Sequence, residues 1–356
     1  MNDMLKGGSD FKKQAQNLNE APNKEAPSNG KLLFVKYSAL GDIALATAAA
    51  SCIKAHFPSL SLFWLAAKPY DELLSGQPFV DEVLPWDRSR DPRAFFGLLR
   101  RVRGLCFDWL VDMQWVQRSA LLSALSGAKR RLGFFKGHRF PYYDWTPENW
   151  RYEDPILERQ SAMLEGLGIS DGLSYPPRLC VSGEESRAAE LALSVPEPRC
   201  AALIGASKPV KRWPAQNWVF FLRMMISRGW SALLVGHGRE EEEVAREIAL
   251  QLPESRTANL VGALDLKGMA ALFSRVQLAV GGDTGPLYLA IAAGVPSVGL
   301  FGPTNPKTHF PDLPYAISLS APCPRLGCND WNCPNADCLS VISPREVFEA
   351  VQKLGL

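Results

Sequence analysis

The sequence predicts an α/β protein built as two doubly wound parallel-sheet halves in one chain. Three observations predict it. Continuous apolar runs such as KLLFVKY (31–37) and LSLFWLAA (60–67) alternate with helical stretches, and unbroken apolarity marks strands covered on both faces. The chain's 356 residues exceed what a single core usually serves. The alternation also breaks across an irregular, aromatic-rich stretch near residues 133–182 and then resumes, which divides the strands into two blocks.

The elements follow in order. Residues 1–30, MNDMLKGGSDFKKQAQNLNEAPNKEAPSNG, are polar and lack an apolar h-region, so a disordered tail is expected rather than a secretory signal. In the first block, residues 31–182, KLLFVKY is a buried strand followed by the helix IALATAAASCIKAHF. LSLFWLAA, DEVLPW and FDWLVDM supply further strands, separated by DELLSG, RAFFGLLRRV and QRSALLSALSG. FFKGHRFPYYDWTPENWRYED (134–154) is too rich in aromatic and charged residues for a plain linker and is expected to form a loop near the binding region. The second block, residues 183–356, places the strands RCAALIGAS, SALLVG, ANLVGA, VQLAVGG and VPSVGLFG around the helices WVFFLRMMISRG, EEEEVAREIALQL, LKGMAALFSR and PLYLAIAAG.

Composition narrows the partners. A net charge of +2 is too small for a nucleic-acid surface, and RRVR (100–103) and KRR (129–131) read as solvated faces. No apolar run approaches the roughly 20 residues of a membrane span, so a cytoplasmic protein is expected. Of eight cysteines, Cys52, Cys106, Cys180 and Cys200 stand singly in apolar segments and suggest core positions. Cys323, Cys328, Cys333 and Cys338 recur every five residues, a spacing open both to a structural zinc clip and to free or redox-paired loop thiols, but not to catalysis.

Ligands of open α/β sheets bind beyond the carboxyl ends of the strands, which singles out the residues just after each one. After the first strand come Ser38, Gly41 and Asp42; on the turn alone helix capping explains Asp42 better than catalysis does, and the order is not that of a dinucleotide fingerprint. After RCAALIGAS come Ser207, Lys208 and Lys211, suited to a phosphate or to a solvated loop. After SALLVG comes Glu240, suited to a ribose or to an acidic first helical turn. GGDTGPLYLA (281–290) ends a strand and opens a helix, where unpaired amides attract anions, yet it carries Asp283.

Taken together, VKYSALGDIALATAA, DMQWVQRSALL, KRWPAQNW and GGDTGPLYLAIAAGVPSVGLFGPTNP resemble glycosyltransferase family 9, the ADP-heptose:lipopolysaccharide heptosyltransferases, from about Lys31 to Val351. The resemblance implies a GT-B fold, two Rossmann-like domains facing a central cleft, with the acceptor on the first and the nucleotide sugar on the second. It implies inverting transfer of heptose from ADP-heptose to a lipopolysaccharide inner-core acceptor, with no metal or other cofactor. That acceptor is a membrane-anchored glycolipid, so loose contact with the inner-membrane surface is implied as well. Asp42 would be the base. Lys211, Ser207 and the amides of Thr284 and Gly285 would stabilise the departing diphosphate. Glu240 would hold the nucleoside, Leu264 would cover the adenine, and Asp283 would accept from sugar hydroxyls. On the acceptor side stand Ser38, Gly41, Gln114 and Arg118, with Lys129, Arg130 and Arg131 as further cations for an anionic acceptor. Tyr288 would be a further donor-binding residue, although many relatives have His there, and the chain also departs from the pattern at Trp115, where glycine is common. It also has Arg118 for the usual Lys, and Ala206 where some relatives carry a hydroxyl. The alternatives are a GT-B glycosyltransferase using another nucleotide sugar, a sugar-nucleotide epimerase and a non-catalytic sugar-nucleotide-binding protein.

Overall fold

The structure is a computed structural model that describes residues 29–89, 91–134, 142–148, 150–333 and 338–356. The expected tail, up to residue 28, and residues 135–141 and 149 of the aromatic-rich segment lie outside the described residues. The chain divides into two compact units. One holds the residues up to Ser38 with Ala48–Arg151 and Leu157–Tyr175; the other holds Ala39–Thr47, Tyr152–Ile156 and Pro176–Leu356.

The first sheet contains β1 (Gly30–Val35), β2 (Leu60–Ala67), β3 (Glu82–Trp86), β4 (Trp109–Asp112) and β5 (Arg130–Gly133), ordered β3-β2-β1-β4-β5. Every pairing is parallel, with Leu33 opposite Phe63 on one side and Leu110 on the other. Its helices are α1 (Leu40–His56), α2 (Asp71–Leu74), α3 (Pro92–Leu105), α4 (Gln117–Leu125) and α5 (Ile156–Glu165). α3 shows how local sequence sets an element. Asp91 caps it by accepting from Arg93 N at 2.8 Å, Pro92 occupies the first turn, and Phe95, Leu98, Leu99 and Val102 put one apolar stripe on the sheet. It ends where Cys106 turns left-handed at φ 52°, which leaves that cysteine exposed rather than in the core. Cys180 is exposed too, while Cys52 and Cys200 are buried as expected. β5 arises from KRRLG, whose arginines conceal a strand from a reading by apolarity.

The second sheet contains β6 (Arg199–Leu203), β7 (Ser231–Val235), β8 (Thr257–Asn259), β9 (Leu278–Gly282), β10 (Ser297–Phe301) and β11 (Ala316–Ser320), all parallel in the order β11-β10-β9-β6-β7-β8. Around it run α6 (Gly183–Ala192), α7 (Ala215–Ile226), α8 (Arg239–Ala249), α9 (Leu266–Phe273), α10 (Gly285–Ala292), α11 (Pro306–His309) and α12 (Pro344–Lys353). Trp213, Trp218, Phe221 and Leu234 anchor one face of the core. β11 escapes the apolar pattern because it is an edge strand with no fully buried residue. α12 begins with a reciprocal capping box, Ser343 Oγ accepting from Glu346 N and Glu346 Oε2 from Ser343 N.

Unit membership differs from a simple division near residue 182 for a packing reason. Within the second unit, a Cβ at Gly285 would meet Leu40, Thr47 Oγ1 accepts from Arg178 N at 2.8 Å, and Thr308 donates to the Glu153 carbonyl. In each sheet the strand order reverses once, between β1 and β4 and between β6 and β9. The loops leaving those strands are where a ligand crevice forms.

Candidate active site

At the switch point of the second sheet, the loop after β6 closes with a 3-10 turn, Pro209–Lys211. The loop after β9 is only Asp283 and Thr284 before α10 begins. Lys211 Nζ donates to Asp283 Oδ2 at 2.6 Å and to the Asp283 carbonyl at 3.1 Å. This approach needs the glycine at 282, since a Cβ there would come within 2.3 Å of the Lys211 carbonyl oxygen. The other carboxylate oxygen, Asp283 Oδ1, accepts from the Tyr288 hydroxyl at 2.5 Å.

Burial pushes the Asp283 carboxyl up, but the charge and hydrogen bond of Lys211 and the hydroxyl of Tyr288 outweigh it and hold the group below the ordinary carboxylate value. The Tyr288 phenol moves the other way. Burial, then the charge of Asp283 and its hydrogen bond, then the charge of Asp42, raise it well above 10, so it stays a neutral donor. Asp283 and Tyr288 therefore form one unit that orients Lys211. The electrostatic contradiction of a carboxylate at an anion-attracting helix start is resolved by this ion pair, and Tyr288 acts on Asp283 rather than as a free donor-site phenol.

Thr284 is the N-cap of α10, and its hydroxyl caps nothing: Oγ1 is buried without a hydrogen-bond partner. Pro286 in the first turn has no N–H, so the amides of Thr284 and Gly285 are the donors that the helix start presents. An unused hydroxyl, two amides and a lysine at one switch point are the chemistry of a phosphate site.

Asp42 stands at the third position of α1, and Oδ2 accepts from Ala39 N at 3.2 Å. It is thus the carboxylate half of a capping box whose N-cap residue, Ala39, has no acceptor of its own. The Tyr288 ring packs so closely on the next-door glycine that a Cβ at Gly41 would lie 2.6 Å from Tyr288 Cδ2. One cavity of about 210 Å³ is lined by Gly41, Asp42, Lys211, Asp283, Thr284, Gly285 and Tyr288, together with Ala39, Leu45, Ile156 and His309.

Three expected donor residues lie elsewhere in the unit. Ser207 is an exposed loop residue. Glu240 is 74% exposed and pairs with Arg212 Nη1. Its neighbour Glu241 turns inward, accepts from His237 N at 2.7 Å and fills the space beside Gly205 and Gly236. Leu264 lines a separate apolar cavity of about 280 Å³ with Leu193, Leu260, Ala271 and Leu272, next to Lys267. His309 was missed by sequence reasoning. Its only signal is its place in FGPTNPKTH beyond the carboxyl end of β10.

In the first unit, Gln114 spans the other switch point. Its Oε1 accepts from Tyr37 N and Ser38 N at 3.0 Å each, and its Nε2 donates to Ser38 Oγ. Behind it Asp112 is fully buried, accepting from Gln114 N at 2.8 Å and from the Tyr143 hydroxyl at 2.6 Å. Burial pushes its carboxyl up, against the pull of those donors. Trp115 takes a left-handed φ of 59°, which explains why glycine suits the position; here the ring is buried against Phe134, with Arg159 over its face. Arg118 lies over the Trp86 ring and donates to the Ser89 carbonyl at 2.7 Å. The remaining cations depart from expectation. Lys129 pairs with Asp108 and Arg131 with Asp144, and β5 begins there, so Lys129, Arg130 and Arg131 sit at the amino end of the sheet, opposite the ligand end.

The four late cysteines come close enough that Cys338, raised first by burial, also feels Cys323, Cys333 and Cys328. Cys333 Sγ accepts from Arg325 and Cys328 Sγ from Asp330 N, and among the described residues no three His, Cys, Asp or Glu side chains are placed to hold a metal ion.

Comparisons with known proteins bear on the family and the fold. The family model described as glycosyltransferase family 9 (heptosyltransferase) matches residues 95–335. The chain is 28% identical over 315 residues to lipopolysaccharide heptosyltransferase 1 of Pseudomonas aeruginosa, covering 82% of this chain and 87% of that one. It is 25% identical over 293 residues to the lipopolysaccharide core heptosyltransferase OpsX of Haemophilus influenzae, covering 81% and 82%. Among solved structures, that of the Escherichia coli ADP-heptose lipopolysaccharide heptosyltransferase II superposes with a TM-score of 0.74 at 23% identity, over 91% of this chain and 98% of that one.

Proposed function

The chain belongs to glycosyltransferase family 9, and on that premise we propose that it transfers heptose from ADP-heptose to a lipopolysaccharide core acceptor, with inversion and without a metal. One observation carries the reading: Asp42 shares a single cavity with Lys211, Thr284 and the start of α10. The names of the relatives in Pseudomonas, Haemophilus and Escherichia supply the heptose, the ADP and the core acceptor.

The acceptor hydroxyl attacks the anomeric carbon from the face opposite the diphosphate. As the new C–O bond forms, Asp42 takes the hydroxyl proton and the bond to the diphosphate oxygen breaks with its electron pair. A carboxylate is a weak base towards a sugar hydroxyl, so this proton moves late, when the attacking oxygen has become acidic. The leaving diphosphate gains negative charge, which Lys211, the Thr284 hydroxyl and the amides of Thr284 and Gly285 meet in place of a metal. We assign Arg118, held at the carboxyl end of the first sheet, to an anionic group of the acceptor. No helix among the described residues is long and apolar enough to cross a membrane, and a membrane-anchored acceptor calls for no more than surface contact.

The direct test incubates the protein with a panel of nucleotide sugars and assays free nucleotide. Release of ADP from ADP-heptose, dependent on acceptor, is expected; release of UDP with none of ADP overturns the donor assignment, and no release from any donor leaves the binding-protein reading. A second expectation concerns packing. Gly41→Ala inserts a methyl against the Tyr288 ring and shifts the start of α1, and with it Asp42, by a fraction of an ångström to about 1 Å. Because misplacement of that size can cost on the order of 10² in rate, turnover should fall at least tenfold while the melting temperature drops by only a few degrees. Unchanged turnover in Gly41→Ala would show that the Asp42 position is not critical.

A further inference from the structure

Beyond β11 the cysteine-bearing segment folds back over the loop that leaves β10. Asn329 N donates to the Pro303 carbonyl at 2.7 Å and Gly327 N to the Gly302 carbonyl at 3.3 Å, and Gly327 is pressed so closely on Asn305 that a Cβ would lie 2.9 Å from that residue. This anchoring fixes where Trp331 falls. Its ring centroid is 5.0 Å from Lys211 Nζ, the lysine of the phosphate site. Lys211 has three N–H groups. Two are used on Asp283, one on Oδ2 and one on the carbonyl, and the ammonium lies over the indole ring as well.

We propose that Trp331 is a positioning residue of the donor site, holding the Lys211 ammonium for the diphosphate through the face of its indole; the proposal rests on the reading of this cavity as the nucleotide-sugar site. The chemistry favours an aromatic face for this task. Asp283 already cancels one positive charge, and a second carboxylate on Lys211 would leave the diphosphate a net negative site. A π face restrains a cation without adding an acceptor atom or a formal charge, so one N–H and the site's attraction for an anion are kept. Trp331 is 37% exposed, so its ring covers the lysine from the solvent side without being enclosed itself. The cysteine-bearing segment thereby gains a function that needs neither a metal nor a disulfide: it carries Trp331 to the switch point of the sheet.

The experiment compares Trp331→Phe and Trp331→Leu with the unmodified full chain, measuring ADP binding by calorimetry, steady-state kinetics with ADP-heptose, and thermal melting. Phe keeps an aromatic face and should bind ADP within about twofold of the unmodified chain. Leu keeps apolar bulk without a quadrupole and should weaken ADP binding about fivefold to tenfold, raise the donor KM by a similar factor, and melt within a few degrees of Phe. If Leu and Phe behave alike, in either direction, Trp331 is packing only and the proposal fails while the donor site stands. If the unmodified chain itself neither binds ADP nor releases it from ADP-heptose, the reading of the cavity fails, and the role of Trp331 fails with it.

Discussion

Asp42→Asn is expected to stop transfer while leaving the nucleotide bound. General-base catalysis by a positioned side chain contributes about 10² to 10⁴ in rate, so kcat should fall by that range. The substitution is a clean one here. Asn retains a carbonyl oxygen that can accept from Ala39 N, so the weak 3.2 Å cap at the start of α1 survives and the melting temperature should hardly move. The groups assigned to the diphosphate, Lys211, Thr284 and Gly285, belong to other loops of the same cavity and are untouched, so ADP affinity should stay within a few-fold. The check is paired: steady-state turnover with ADP-heptose and acceptor, and ADP binding by calorimetry. Full turnover in Asp42→Asn would remove it as the base. Equal losses of binding and turnover would instead make it a donor-binding residue.

Asp42, Lys211 and Asp283 were legible in the sequence for one physical reason. Parallel strands buried on both faces announce themselves as unbroken apolar runs, and residues just beyond their carboxyl ends inherit the ligand crevice. Where a strand is not apolar the signal fails, as in RRLG of β5, and the error carried over to function: KRR looked like an acceptor patch because its place at the start of a strand was invisible. The four-glutamate run before VAREIA shows a second limit. Sequence says that an acidic first turn begins α8, but which glutamate turns inward depends on helix phase, and it is Glu241, against Gly205 and Gly236, not Glu240. A third limit is long-range packing. Nothing local in GGDTGPLYLA says that Asp283 pairs with Lys211 and Tyr288, or that the indole of Trp331 lies over the same lysine. The second glycine of that motif becomes intelligible only when the Lys211 carbonyl is seen against it.

Lys211→Met should be the most damaging single change, and its pH dependence identifies the cause. Asp283 is 8% exposed, and removing its cation leaves a buried carboxylate with the hydroxyls of Tyr288 and Thr304 but no positive charge against it, a loss of about 3–5 kcal/mol for a broken buried pair. In the unmodified chain the folded Asp283 carboxyl is held below its unfolded value, so its contribution is complete above about pH 4 and is lost as pH falls through the folded value. In Lys211→Met the largest remaining influence is burial, which raises the carboxyl above its unfolded value. The sign of linkage then reverses: the variant is penalised at neutral pH and relieved as acid protonates the group. The difference in melting temperature between the two proteins should therefore be widest near pH 7 and narrow steadily toward pH 4. Adding Asp283→Asn to Lys211→Met removes the uncompensated charge while leaving an oxygen for Tyr288, and should restore most of the lost stability at neutral pH. It cannot restore the ammonium, so ADP binding and transfer should remain lost in the double variant although its fold recovers. A double variant that stays as unstable as Lys211→Met would mean that the lysine stabilises the loop through packing rather than through its charge, and a Lys211→Met protein that still releases ADP at the full rate would mean that the leaving diphosphate is neutralised elsewhere.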